Sequence, residues 1–564
     1  MGEPLILFED FTFQYRAQSE PTIRDINLAI YAGEKVLIAG PSGSGKSTLA
    51  NCINGLIPFN HKGTVSGTCK VGGIKTSQLG VFELSKIVGT VLQDTDGQFV
   101  GLTAAEDISF SLENNCVPQD EMFPRVREAA DLTGLKGDAL LNASPFDLSG
   151  GQKQRVSMSG ILVDDVQVLL FDEPLAALDP ATGKQTIELI DEIGKSSTVL
   201  IIEHRIEDVL HRPVDRIILM ADGRIIADMH PDEILGKNLL KDTGLREPLY
   251  ISALRYAGAN ISPSLTNLNL SESDKQLVQT WYNNANTSPI PHKDKELLLL
   301  QNINFSYDEK KQVLTNINIS ISKGEMTAIV GTNGAGKSTL AKLICGFETP
   351  RSGKILLHGE DITNESIATR AKHIGYVMQN PNQMICKSMI FDEVALGLVN
   401  QNKPEAEIRE RVEKTLEICG LFPFRNWPIS ALSYGQKKRV TIASVLVLEP
   451  EIIILDEPTA GQDYKHYTEI MEFLVNLQSN GVTILLITHD MHLMLEYTNR
   501  ALVFSQGELL ADMPSAELLC NPELSAQASL KETSLFHLAN ECYISDAASF
   551  TRRFIDYERQ KEVI

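Results

Sequence analysis

The chain has 564 residues, 43% of them apolar, and a formal net charge of −22. That length allows two large domains with full cores, and the acidic balance argues against a nucleic-acid partner, because phosphate contacts need clustered Lys and Arg. The eight cysteines form no CxxC pair and read as reduced thiols of a cytosolic protein. The start, Met1-Gly2-Glu3-Pro4, lacks a basic-then-apolar signal pattern, and the apolar runs are strand-length, short of the roughly 20 residues that span a bilayer, so any membrane work is expected to go through partners.

In chain order, a β-rich start over 5–38 leads into Gly40-Pro41-Ser42-Gly43-Ser44-Gly45-Lys46-Ser47-Thr48, with a helix expected from 47 to 53. The pattern G-x-x-x-x-G-K-[ST] wraps a nucleotide's phosphates. Its glycines let successive backbone N–H groups point inward, and the helix start adds a positive dipole end. Lys46 would reach the β- and γ-phosphates, Ser47 would put its hydroxyl on Mg²⁺, and Gly40, Ser42, Gly43, Gly45 and Thr48 complete the cradle. Gln93 follows the short strand residues Val91-Leu92, where its amide oxygen can ligate Mg²⁺ and sense the γ-phosphate.

Next comes Leu148-Ser149-Gly150-Gly151-Gln152, ahead of a basic helix. Alone this is a helix N-cap; beside a phosphate loop it is a second anion site, suited to another copy's nucleotide. An apolar strand over 168–171 ends in Asp172-Glu173, which puts two carboxylates at a sheet's C-terminal edge. Asp172 suits Mg²⁺ and Glu173 suits polarising an attacking water. A strand over 199–203 ends in His204, a γ-phosphate contact and water positioner. Apolar strands alternating with helices imply a parallel sheet covered on both faces.

Residues 257–293 are rich in Asn, Ser, Thr and Pro and read as a linker, with a short helix expected over 273–281. The whole set then recurs. Gly331-Thr332-Asn333-Gly334-Ala335-Gly336-Lys337-Ser338-Thr339 is the second phosphate loop, followed by Gln379, Leu432-Ser433-Tyr434-Gly435-Gln436, Asp456-Glu457 and His489 in the same roles. The offset between copies is 291 at the first glycine, 286 at the Gln, 284 at Ser149/Ser433 and at Asp172/Asp456, and 285 at the His. A tail from 534 onward carries apolar residues at loose helical spacing and is expected to be helical.

These residues resemble the nucleotide-binding domains of ABC transporters, with Walker A, Walker B and signature motifs in both copies. The resemblance implies an α/β fold of two tandem P-loop ATPase domains, each with a RecA-like parallel-sheet core, an antiparallel β subdomain and a helical signature subdomain. It implies the divisions 1–247, 248–296, 297–530 and 531–564 for first ATPase domain, linker, second ATPase domain and tail. ATP and Mg²⁺ are the implied cofactors. The copies would pair head to tail, so that Lys46, Asp172, Glu173 and His204 share a site with Ser433, Gly435 and Gln436, and Lys337, Asp456, Glu457 and His489 share one with Ser149, Gly150, Gly151 and Gln152. Tyr15 and Tyr307 match the aromatic that stacks on adenine, and Asp179 and Asp463 match the D-loop.

Within the family, the segments around Glu106-Asp107 and Asp392-Glu393 resemble the fused ATPases of energy-coupling factor importers. In that group the segments lie in the groove that receives a transmembrane coupling subunit; solvated helix starts are the plainer alternative. The resemblance implies attachment to the cytoplasmic face of the cell membrane through that subunit and a membrane-embedded substrate-binding subunit. Two competitors are a sugar-type importer ATPase, which typically carries one damaged site, and a soluble twin ATPase acting on ribosomes, which needs basic arms. Neither feature is present in this sequence.

Overall fold

The computed structural model describes residues 2–93, 96–176, 178–259, 261, 268–285, 295–308, 312–459 and 464–562. The chain divides into two compact units, Met1–Leu178 with Thr182–Val278, and Asp179–Ala181 with Gln279–Ile564.

In the first unit, strands β1 (Ile6–Tyr15), β2 (Ile23–Ile30), β4 (Gly63–Val71) and β5 (Ile74–Lys75) form an antiparallel sheet in the order β2-β1-β4-β5. Its inward residues, Ile6, Phe8, Phe13, Ile23 and Ile26 among them, alternate with exposed ones, the period-2 pattern of a half-buried sheet. A second, six-stranded sheet is built from β3 (Lys35–Ala39), β6 (Val88–Val91), β7 (Val168–Asp172), β8 (Thr198–Ile202), β9 (Arg216–Ala221) and β10 (Arg224–Met229). Its order is β10-β9-β3-β8-β7-β6, parallel except for the β9–β10 hairpin. Strands β7 and β8 are buried along nearly their whole length, so the sheet is covered on both faces. A helical arm, with helices Ala104–Asn114, Gln119–Leu132 and Gly150–Leu162, has its own small core around Ile108, Leu112 and Val156.

The second unit repeats this plan. Strands β11 (Glu296–Phe305), β12 (Leu314–Ser322), β14 (Ser352–Leu357) and β15 (Glu360–Asp361) pair in the order β12-β11-β14-β15. Strands β13 (Met326–Gly331), β16 (Ile374–Val377), β17 (Ile452–Asp456), β18 (Thr483–Ile487), β19 (Arg500–Ser505) and β20 (Glu508–Met513) follow the order β16-β17-β18-β13-β19-β20. Each domain is thus an α/β cassette with a mixed core sheet and an antiparallel side sheet.

The first unit runs beyond residue 247. Helix Leu249–Ala257 buries Leu249, Tyr250, Ile251, Ala253 and Leu254, and it starts with the Leu249 N–H donating to Glu207 Oε2 at 2.9 Å. Its apolar content draws it into a core, whereas the polar composition of the stretch after it suggests linker. Helix Glu272–Asn284 follows, and residues 260, 262–267 and 286–294 of the expected linker lie outside the described residues. The tail carries helices Ser534–Glu541 and Ala547–Glu562, with Phe550 and Phe554 fully buried.

Candidate functional site

In each unit the core sheet ends at one edge in the phosphate loop, the Asp-Glu pair and the histidine. Strand β3 passes through Gly40–Gly45 into helix Lys46–Ile53, and β13 passes through its counterpart into Lys337–Cys345. Each helix is preceded by a glycine in the left-handed region, Gly45 at φ 99° and Gly336 at φ 96°. A Cβ on Gly45 would sit 2.5 Å from Ile23 Cγ2, and one on Gly336 2.5 Å from Leu314 Cδ2, so both backbone and space require glycine there. Gly43 and Gly334 also adopt positive φ, beside Ser42 and Asn333.

Both loop lysines are buried and folded back onto their own loop. Lys46 Nζ donates to the Gly40 and Pro41 carbonyls at 2.7 and 2.9 Å, and Lys337 Nζ to those of Gly331 and Thr332 at 2.8 and 2.9 Å. Burial pushes the Lys337 ammonium down to about 8. Tyr15 Oη meets Thr48 Oγ1 at 3.3 Å, and Tyr307 Oη meets Thr339 Oγ1 at 3.2 Å, which places each tyrosine beside its phosphate-loop helix.

The carboxylates sit where β7 and β17 end. Ser47 Oγ donates to Asp172 Oδ1 at 3.5 Å, and Gln93 Nε2 donates to Glu173 Oε2 at 2.5 Å. These bonds gather Ser47, Gln93, Asp172 and Glu173 into one cluster. Burial, and then the neighbouring charge of Glu173, raise Asp172 to about 6. In the second unit burial and then Asp456 push Glu457 up to about 8, and burial with Lys337 takes His489 down to about 3. Asp456 accepts from Tyr376 Oη at 2.9 Å. His204 Nδ1 lies 3.9 Å from Glu173 Oε1, and His489 Nε2 lies 3.5 Å from Glu457 Oε1.

The signature serines start helices Gly150–Leu162 and Tyr434–Leu446 through matching capping boxes. Gln152 N–H donates to Ser149 Oγ at 3.4 Å and Gln436 N–H to Ser433 Oγ at 3.3 Å, with the Gln side chains accepting in return. Gly150, Gly151 and Gly435 fill the first turn, so these helix starts present N–H groups unobstructed by bulky side chains at three positions, while Tyr434 occupies the fourth. Asp179 precedes helix Pro180–Ile193, and Asp463 lies outside the described residues.

Three of the four acids are more engaged than solvated helix starts, whereas Asp392 is exposed. Asp107 accepts from the Val100 and Gly101 N–H groups at 2.8 and 3.1 Å, and Glu106 completes a capping box with Thr103. Glu393 is buried and accepts from the Cys386 and Lys387 N–H groups at 2.8 and 2.6 Å. These acids therefore shape the loop after each Gln turn. In the first unit that loop leaves Val100 66% and Leu102 82% exposed.

Residues to which the motifs assign no role also belong to this edge. Lys438, 1% exposed, donates to the Met378 and Gln379 carbonyls at 2.7 and 2.9 Å, and Tyr434 Oη donates to the Gln379 carbonyl at 3.3 Å. In the first unit the matching Gln154 bonds instead to the Pro174 carbonyl. Glu203, just before His204, is fully buried. Its one signal in the sequence is the contrast with Thr488, before His489.

The family model described as ABC transporter matches residues 23–176 and 314–460, more than half of the chain. This chain belongs to the ABC transporter family. It binds and hydrolyses ATP as the ATP-binding component of a transporter. A second model, described as ATP-binding cassette cobalt transporter, matches residues 237–305. Putative ABC transporter ATP-binding proteins of Clostridium perfringens and Enterococcus faecalis are each 57% identical to it, over 98% of both chains for the first and 99% of both for the second. One from Photobacterium profundum is 52% identical over 99% of this chain and 100% of its own. Among solved structures, the chain is similar to cbiO1 of Clostridium perfringens, described as part of the ABC transporter complex cbiONQ. The identity there is 36% and the TM-score 0.40, over 44% of this chain and all of that one. Among the described residues, no helix is long and apolar enough to cross a membrane.

Proposed function

We propose that this ABC ATPase is the motor of a membrane importer for a small micronutrient, a vitamin, a vitamin precursor or a transition-metal ion. The observation that carries this reading is the match of residues 237–305, outside the ATP motifs, to the cobalt-transporter model. The chain works at the cytoplasmic face of the membrane, held by a transmembrane coupling subunit that acts on a membrane-embedded substrate-binding subunit. The exposed Val100 and Leu102, on a loop fixed by Asp107 beside the Gln turn, fit such a docking surface.

The chemistry assigns Lys46 and Lys337 to the phosphates, Glu173 and Glu457 to polarising the attacking water, and His204 and His489 to the γ-phosphate. Each nucleotide is closed over by the other copy's signature helix start, Ser433 to Gln436 in one case and Ser149 to Gln152 in the other. The Ser47–Asp172 contact and the nearby Gln93 supply hard oxygen donors suited to Mg²⁺, with Ser338, Gln379 and Asp456 as the second set. The ion, when bound, neutralises charge on the β- and γ-phosphate oxygens. Both lysines must leave their own loop carbonyls to reach a phosphate, an exchange of one set of hydrogen bonds for another.

Purification of the tagged chain from native membranes in mild detergent, followed by mass spectrometry, tests the assembly. One or two small, very hydrophobic proteins are expected to co-purify. Ribosomal proteins without a membrane partner would overturn the importer reading in favour of the translation-type class.

A further inference from the structure

We propose that Tyr376 is a positioning residue of the second metal site, one that holds the Asp456 carboxylate in the orientation that serves Mg²⁺, a brace the first copy lacks. The proposal rests on the reading of Asp456 as part of the Mg²⁺ set. Tyr376 Oη donates to Asp456 Oδ2 at 2.9 Å. The two residues meet because of register: β16 pairs with β17 in parallel, and Tyr376 lies opposite Ile454, two residues before Asp456. Side chains two apart on a strand share a face, so the phenol runs along the sheet towards the strand end where the carboxylate sits. Its ring packs against Phe347, just past the end of the phosphate-loop helix, with the centroids 6.1 Å apart and the planes 60° from parallel.

The first copy has the same frame without the brace. Thr90 lies opposite Leu170, two residues before Asp172, in a strand pair of the same lengths. Its Oγ1 is buried with no hydrogen-bond partner among the described residues. The donor to Asp172 is Ser47, at 3.5 Å, itself one of the residues assigned to the ion. The fold therefore does not call for a phenol at this register. What the phenol adds is a fixed donor on a carboxylate that has other work. A carboxylate turns readily about its last torsion, and a ligand group that must be ordered when the ion arrives weakens binding by that cost. A donor on Oδ2 orders it beforehand and leaves Oδ1 for the ion or its water. Hydrogen bonds of this kind, to the carboxylates of a metal site, are worth about 10- to 100-fold in metal affinity.

The test is Tyr376→Phe, which keeps the ring and removes the donor, in the full chain carrying Lys46→Ala, so that nucleotide binding reports on the second site. Affinity for a fluorescent, non-hydrolysable ATP analogue is measured with saturating Mg²⁺ and again in EDTA. Tyr376→Phe is expected to weaken binding about tenfold with Mg²⁺ and to leave it within about twofold in EDTA. With protein in excess over the analogue and Mn²⁺ as the ion, the EPR signal of free Mn²⁺ is expected to rise in the variant. Unchanged affinity with Mg²⁺, equal losses in both conditions, or an unchanged Mn²⁺ signal would each overturn the proposal. So would the same loss in a Lys337→Ala chain, where binding reports on the first site. Failure of the underlying reading looks different: Asp456→Asn would then leave the Mg²⁺ dependence of binding intact in the Lys46→Ala chain. Where Asp456→Asn abolishes that dependence and Tyr376→Phe does not reduce it, the reading stands and the proposal falls.

Discussion

Glu173 and Glu457 both sit in the left-handed region, at φ 49° and 47°, with their N–H groups donating to the Ile202 and Ile487 carbonyls at 2.9 Å. A side chain other than glycine held there costs about 1–2 kcal/mol, so the turn that aims these carboxylates is imposed by the strands around it. Glutamine tolerates that backbone as well as glutamate does, which makes Glu→Gln a change of charge alone. The double variant Glu173→Gln/Glu457→Gln is expected to keep binding ATP while turnover falls by ~10²-fold or more; near-normal hydrolysis would remove the water-polarising role. Lys438 gives a residue-scale prediction of another kind. Burial pushes its ammonium down to about 8, against the pull of Asp456 and Glu457, whereas an unfolded lysine titrates near 10.4. Between those values the unfolded chain holds a proton that the folded chain has released, so stability rises with pH across that window. The apparent Tm of wild type, relative to Lys438→Met, is expected to climb from pH 8 to pH 10. A flat difference would mean that the ammonium is not held in a penalised state.

At the scale of elements, the two phosphate-loop helices end differently. Helix Lys337–Cys345 is closed by Arg370, 2% exposed, which donates to the Leu343, Ile344 and Thr363 carbonyls at 2.7, 3.0 and 2.7 Å. A cation on the last carbonyls satisfies them and complements the helix dipole. In the first unit Leu84 fills the corresponding space, next to Gly55 as Arg370 is next to Gly346. Arg370→Met is expected to cost about 2–4 kcal/mol, because three buried carbonyls lose a charged donor; chemical denaturation of the full chain, read for the transition that shifts, checks it. The phosphate loops, the Asp-Glu strand ends and the terminal histidines are legible in the sequence, because an apolar run closed by a fixed polar signature encodes strand and edge together. Arg370, Lys438 and Glu203 carry no such signature: a charged side chain looks like surface until tertiary packing closes over it. Helix Leu249–Ala257 was obscured by the polar stretch that follows it, although Leu249, Ile251 and Leu254 are apolar and Gly258 marks its end.

Across the whole molecule, two sets of the same motifs lie in register on one chain, yet the units differ at matched places: Glu203 against Thr488, Gln154 against Lys438, Leu84 against Arg370. In the second unit Lys438 and Tyr434 tie the signature helix to the Gln turn; in the first, Gln154 ties it to the turn after Glu173. On the proposed head-to-tail pairing, divergence of this kind is possible because each copy would always have the other as its mate and would never have to pair with itself. Carrying both copies on one chain has a kinetic consequence as well. On the proposed head-to-tail pairing, separate cassettes would have to find each other by diffusion, a second-order step that fails on dilution. On one chain each copy would instead meet its mate at an effective concentration set by the connecting segment rather than by the amount of protein. Closure over ATP would thereby become first order in protein, independent of how few copies of the chain a cell contains.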